Sequence, residues 1–375
     1  MGNSIQITEH IVVDGHEGWK HGRITYKLAC GPTIAQVPNG DLLCAWLSGS
    51  GTEPATDNNV LMARSTDLGH TWSEPWIFVP AGKDAGALTA LYSVGDTLIG
   101  LGAHWPSDKN YTIWRYFRQE SQDNGHTWSD PEPMVIYDDQ AAFGTPIVLN
   151  DGTYLYPGSV FLPREQPLRG PIEDLANAKS EEEALAIPSG EGGIPKPAEK
   201  FGTHLHGCFV LSSENGLRHD LTVQGLIANR PLGLLESTIV EASDGRTIML
   251  MRAEWGGFLW RAESSDRGRT WTDAWETDIP NPTTKAALTK LPDGRIVLIH
   301  NAAGGVRGKS VERDPLSIWV SDDDMETWCI KEDVITGGAL AYPDPEVLSD
   351  GRLVFAYDHN RRQTRFVEVE IPAKS

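Results

Sequence analysis

The chain is short of cysteine, of basic charge and of long apolar runs. Four cysteines, Cys30, Cys44, Cys208 and Cys329, occur in 375 residues. None stands in a CxxC or other metal-ligand spacing, so free buried thiols are expected, with neither a metal site nor a cofactor implied. The 52 acidic residues outnumber the 32 basic ones, for a net charge of −20. That balance excludes nucleic acid and anionic membrane as general partners, and an anionic ligand needs a local basic pocket. No apolar run approaches the ~20 residues of a membrane helix. The opening MGNSIQITEHIVVDG has no basic start and no apolar core. A signal peptide is therefore not expected, which fits a cytoplasmic chain or a secreted one already trimmed.

Glycine and tryptophan are plentiful, at 38 and 13 residues. The glycines mark a repeat. PNGDLL, SVGDTLIG, NDGTYLY, SDGRTIML, PDGRIVLI and SDGRLVFA place turn glycines at Gly40, Gly95, Gly152, Gly245, Gly294 and Gly351. Each turn lies between apolar runs, a hairpin signal. The spacings are 55, 57, 93, 49 and 57. A period near 50 in strand-rich sequence predicts an all-β propeller of six four-stranded antiparallel blades, with one domain spanning 1–375. An early strand before residue 28 is expected to complete the last blade. The long spacing predicts a partly helical insertion at 164–200 between blades three and four, either a linker or a substrate-covering lid.

A second repeat, S-x-D-x-G-x-T-W, runs in step with the first. It occupies 65–72, 121–128 and 264–271, loses its glycine at 321–328 and decays at 213–216. This is the Asp-box, and the whole chain resembles the sialidase-like, bacterial neuraminidase repeat family. The boxes speak for the fold and say little of function.

Alignment on the turn glycines compares blades within one sequence. Nine residues before each glycine stand Gly31, Gly86, Phe143, Glu236, Lys285 and Tyr342. Seven residues after stand Leu47, Gly102, Ser159, Arg252, Asn301 and Asp358. Blades four to six switch together to polar and charged groups, which must pair or face a wet cavity. The sialidase resemblance implies Tyr342 as nucleophile with Glu236 as its base, a Tyr nucleophile being a known exception among glycosidases. It also implies Arg252 and Arg313 as carboxylate ligands and Asp358 as brace of a further arginine. Lys285 adds a cation, and Asn301 and His104 complete the candidate binding set. The family's first arginine falls at Cys30, with Arg23 the nearest basic residue. Its acid lies in the blade-one loop, where Glu53 and Asp57 both stand. The expected activity is exo-hydrolysis of an acidic sugar, sialic acid or a related carboxylated glycan, with retention. The alternatives are a lyase or unusual glycosidase on uronate-containing glycans, with Lys285, Arg252, His104 and Tyr342 as its groups, and a non-catalytic carbohydrate-binding propeller using Trp105, Trp255 and Trp260. His204 and His206 alternate along a strand and read as a structural pair.

Overall fold

The computed structural model describes residues 4–106, 113–136, 141–165, 168, 172–178, 181–187, 204–216, 221–227, 233–254, 256–306 and 311–374. Six antiparallel sheets form the blades of a propeller. Blade 1 is Cys30–Gln36, Leu42–Ser48, Asn59–Ser65 and Trp76–Val79, paired in that order. Blades 2, 4 and 5 repeat this order over Ala85–Met134, Leu234–Asn281 and Ala287–Ile335. In blade 6, Leu340–Val347, Leu353–His359 and Gln363–Glu370 receive the N-terminal strand Gln6–Asp14 as their outermost member. The early strand thus closes the ring, as expected, and covers an edge that would otherwise stay open.

The insertion is placed differently from expectation. It joins the second strand of blade 3, Tyr154–Pro163, to the third, His204–Ser213, and so lies inside blade 3 rather than between blades three and four. The decayed box at 213–216 follows that third strand, as the other boxes follow theirs. Two short helices, Ile172–Asn177 and Glu181–Ala186, bury Leu175 and Ala184 in a small cluster with Leu168, which precedes them. Residues 188–200 lie outside the described part, so the lid reading is not addressed there.

The period has a simple physical origin. Every turn glycine of the repeat takes positive φ, from +56° at Gly95 to +92° at Gly40, where a β-carbon would be strained. Between blades, apolar side chains of neighbouring sheets interlock: Val297, Ile299 and Ile318 of blade 5 pack with Phe355, Tyr357 and Val367 of blade 6. Each such side chain buried is worth roughly 1.5–3 kcal/mol.

The Asp-boxes weld adjacent blades. Asp67 accepts from Ser65 Oγ at 2.8 Å, from Thr71 N at 2.8 Å and from Thr71 Oγ1 at 2.6 Å. Those bonds, the Thr71 hydroxyl first, hold its carboxyl down to about 2. The box at 321–328 keeps the same bonds with Met325 in place of glycine, at φ +66°. Gly69 sits so close to Phe366 that a β-carbon there would approach the ring to 2.1 Å, which seats the blade 1 box on blade 6.

Candidate active site

The two site columns become two structural devices. In blade 4, Leu235 faces Arg252 and Thr238 faces Leu250, so Glu236 and Ser237 share one partner position. This is a β-bulge. Blade 6 repeats it between Ala341 and Asp344, and blade 1 between Cys30 and Thr33. The first extra residue is Glu236, Tyr342 and Gly31, at φ +46°, +54° and +56°. Glycine accepts that conformation freely, whereas glutamate and tyrosine each lose of order 1 kcal/mol or more. In return, the bulges bring residues of blades 4 and 6 together across blade 5.

Side chains of the second column reach the stretch where the following blade begins. Ser159 Oγ accepts from Glu236 N at 2.7 Å. Arg252 Nε donates to Thr283 Oγ1 at 3.0 Å. Asn301 Nδ2 lies 3.0 Å from the carbonyls of Arg313, Pro315 and Leu340, and its Oδ1 accepts from Thr284 Oγ1 at 2.8 Å. Asp358 Oδ2 accepts from Gly31 N at 3.3 Å. Asn301 is fully buried and committed to these bonds, so it positions Arg313 and the Tyr342 strand. The expectation that Asn301 contacts substrate is corrected accordingly.

Tyr342 and Glu236 meet directly. The phenol donates to Glu236 Oε1 at 3.3 Å, while Arg252 Nη1 donates to Glu236 Oε2 at 2.5 Å. Burial alone would push Glu236 up, but Arg252, helped by Arg313 and Lys285, outweighs it and holds the carboxyl below its usual range. The Glu236 charge, with burial second, drives Tyr342 above its ordinary value despite Arg252 and Arg313. At neutral pH the pair is thus a carboxylate beside a protonated phenol. Arg313 lies over the Tyr342 ring, its guanidinium 5.7 Å from the centroid.

A cation does stand beside Cys30, brought by blade 6. Arg361, in the turn after the second strand of blade 6, donates from Nη2 to Glu53 Oε1 and lies 3.5 Å from Cys30 Sγ. Burial and the Glu53 charge keep the Cys30 thiol protonated, and it donates to Glu53 Oε2 at 3.2 Å. Arg361 sits at φ +54° after Asn360 at +56°, a two-residue left-handed turn. Asp358 is buried beneath this group. Its burial lifts the carboxyl to about 7, against the pull of the Gly31 amide, Arg361 and Arg313.

Other expected residues stand apart. Arg23 is exposed at the tip of the small hairpin Trp19–His21/Ile24–Tyr26 and does not supply the missing cation. Asp57 accepts from Ser50 N at 3.1 Å and so braces its own loop, which leaves Glu53 as the loop carboxylate facing the cluster. His104, at the end of a blade 2 strand, packs on Phe117 with ring centroids 5.3 Å apart. Trp105 is buried and stacks on Trp114 at 4.8 Å, so it is core rather than a sugar platform. Trp260 packs against the blade 3–4 core, and Trp255 lies outside the described residues. His206 Nδ1 meets Glu254 Oε2 at 2.8 Å, both buried, a structural pair between blades 3 and 4; His204 lies on the same strand. Cys329 is exposed, unlike the other three thiols, which are buried.

Lys285 lies 4.0 Å from Asp344 Oδ1, farther down the blade 6 strand. Next along is Glu346, whose burial lifts its carboxyl to about 8, opposed by the Gln36 amide. The folded chain therefore holds a proton that the unfolded chain releases from about pH 4.5. Stability should fall as pH rises from about 4.5 to 8, by of order 2 kcal/mol at this partly exposed group. Glu346→Gln should remove that share of the decline. Denaturant midpoints at about pH 5 and about pH 9 check this, and equal slopes in both proteins would refute it.

The comparisons agree with this architecture. The family described as BNR repeat-like domain matches residues 40–355. A sialidase of Micromonospora viridifaciens is 24% identical over 379 residues, covering 95% of this chain and 53% of that protein. The chain thus spans about half the length of that curated relative. A Dyadobacter fermentans protein of unknown function superposes with a TM-score of 0.70 at 16% identity, covering 98% of this chain and 99% of that one. The NanB sialidase of Streptococcus pneumoniae gives 0.66 at 11% identity, covering 96% and 70%. With most of its length matched and six blades built on the repeat, the chain belongs to the BNR repeat-like domain family, a family of sialidase-like propellers.

Proposed function

We propose that this protein is an exo-acting glycoside hydrolase for a carboxylated sugar, sialic acid or a relative. The observation that carries the reading is the Tyr342–Glu236 pair with Arg252 on the carboxylate and Arg313 over the ring, while Arg361 pairs with Glu53, whose charge also acts on the phenol. A carboxylate on the sugar would repel a carboxylate nucleophile, whereas a neutral phenol does not. The phenol needs a base, and Glu236 is ionised and in contact. As Tyr342 Oη bonds to the anomeric carbon, its proton passes to Glu236. Glu53 gives a proton to the departing oxygen. Water then releases the sugar from Tyr342 with the starting configuration, and the protons return.

Substrate binding itself prepares Glu53 in this scheme. The free protein spends Arg361 on Glu53. A sugar carboxylate that captures Arg361 releases Glu53 from that pair to face the departing oxygen, where the scheme needs an acid. The sialidase relatives support the reading.

Aryl glycosides of sialic acid and related keto-acids, with aryl uronides beside them, test the proposal. Turnover of an acidic keto-sugar with a retained anomer, followed by NMR, is expected. A folded protein that turns over none of them overturns it, and an unsaturated uronate product would establish elimination instead.

A further inference from the structure

Far from the axis, two histidines and a glutamate meet at the seam that closes the ring. His10 lies on the N-terminal strand Gln6–Asp14, Glu368 on the adjoining strand Gln363–Glu370, and His70 in the Asp-box of blade 1. His10 Nε2 is 3.4 Å from Glu368 Oε1, and His70 Nδ1 is 3.6 Å from the same oxygen. The three donor atoms all lie within 4.8 Å of one another. His10 Nε2 is buried and has no hydrogen-bond partner. Imidazole nitrogens that merely hydrogen-bonded this carboxylate would approach to about 2.7–3.2 Å.

The spacing suits a shared ion instead. Ligands about 2.0–2.1 Å from a tetrahedral metal stand about 3.3–3.4 Å from each other. The two imidazole–carboxylate separations are close to that. The two imidazole nitrogens also lie within 4.8 Å of each other, and His70, with 56% of its side chain exposed, has room to adjust. The supports are firm. Glu368 Oε2 is 3.2 Å from Arg352 Nη1, which orients the carboxylate and leaves Oε1 for the ion. Phe366 lies between, 6.3 Å from His10 and pressed under Gly69, so the box and the strand are fixed relative to each other.

We propose that His10, His70 and Glu368 bind a divalent transition metal of the zinc class, with water at the exposed fourth position. Two imidazoles and one carboxylate suit that class better than calcium or magnesium, which take oxygen ligands. The ion would clip the closing strand to the last strand of blade 6 and to the blade 1 box. No short motif announces it, because the ligands are drawn from both ends of the chain.

The test uses the full chain after chelator treatment. Co²⁺ should give the visible absorption of a low-coordinate site at one equivalent. Zn²⁺ at 100 times its Kd should lower the unfolding constant about 100-fold. His70→Gln, at an exposed position that leaves the fold intact, should weaken both responses at least about 10-fold, and His10→Gln should do the same. Activity at the axis should be unchanged in His70→Gln. A wild-type chain with no Co²⁺ absorption and no Zn²⁺ stabilisation overturns the site. So does a His70→Gln chain that responds like wild type.

Discussion

Tyr342→Phe is expected to lower kcat/KM on a carboxylated sugar by roughly 10³-fold or more, with the melting temperature little changed. The hydroxyl makes one 3.3 Å contact with Glu236, and Arg252 continues to neutralise that carboxylate. At 3.3 Å this bond to a carboxylate is long, and with Arg252 still pairing the carboxylate its share of the fold's stability is about 1.5 kcal/mol at most. The loss must therefore appear in chemistry, chiefly in kcat. If Tyr342 served only to fill space above Arg313, phenylalanine would fill it equally well and turnover would stay near wild type. Steady-state kinetics and a thermal melt on the same preparation distinguish the two.

Arg361→Ala should raise KM and lower kcat/KM roughly 10- to 150-fold, the loss of one charge-assisted bond to the substrate carboxylate. A second effect identifies its partner. Without the guanidinium, Glu53 and the Cys30 thiol lose the partner that ties blade 6 to the blade 1 loop, so a thermal melt should also register the change. An arginine that merely tied the turn to blade 1 would change stability and leave KM in place. Steady-state kinetics of the variant superposing on wild type would refute the assignment.

The fold was legible in the sequence because it is periodic. Turn glycines repeat for a backbone reason, and Asp-boxes repeat because each must dock on the preceding blade. The closing strand was legible too, since an open last blade would leave a bare edge. Glu236, Tyr342 and Arg252 emerged from columns because a bulge at the same step of blades 1, 4 and 6 gives equal counts equal positions. The columns stopped short where geometry replaced register. Asn301 and Asp358 share a column with Arg252, yet Asn301 bonds to the carbonyls of Arg313, Pro315 and Leu340 and Asp358 to the Gly31 amide, so both brace backbone. Arg361 was missed because the missing cation was sought in its own strand at Cys30. It arrives from a turn three residues past Asp358, and the one clue was a pair of arginines after Asn360. An arginine in a left-handed turn is costly enough to signal a use. The insertion was misassigned because the blade 3 box had decayed, which hid the third strand behind it. His10, His70 and Glu368 could not be paired in advance, since nothing local links positions so far apart.

The seam also governs how the ring is assembled. Glu9 accepts from Tyr357, a contact between residues 348 apart in sequence. Closing a loop of that length costs about 5 kcal/mol of chain entropy. Blades 1 to 5 are each built from neighbouring hairpins and need no such closure. Blade 6 alone must wait for both ends of the chain to meet. Its completion is therefore the high-contact-order event, late on the folding route and early on the unfolding one. Until then the outer edge of Gln363–Glu370 stays bare, a template for another chain's strand. Resistance to aggregation during refolding is thus set at the rim, by how tightly one nine-residue strand is held.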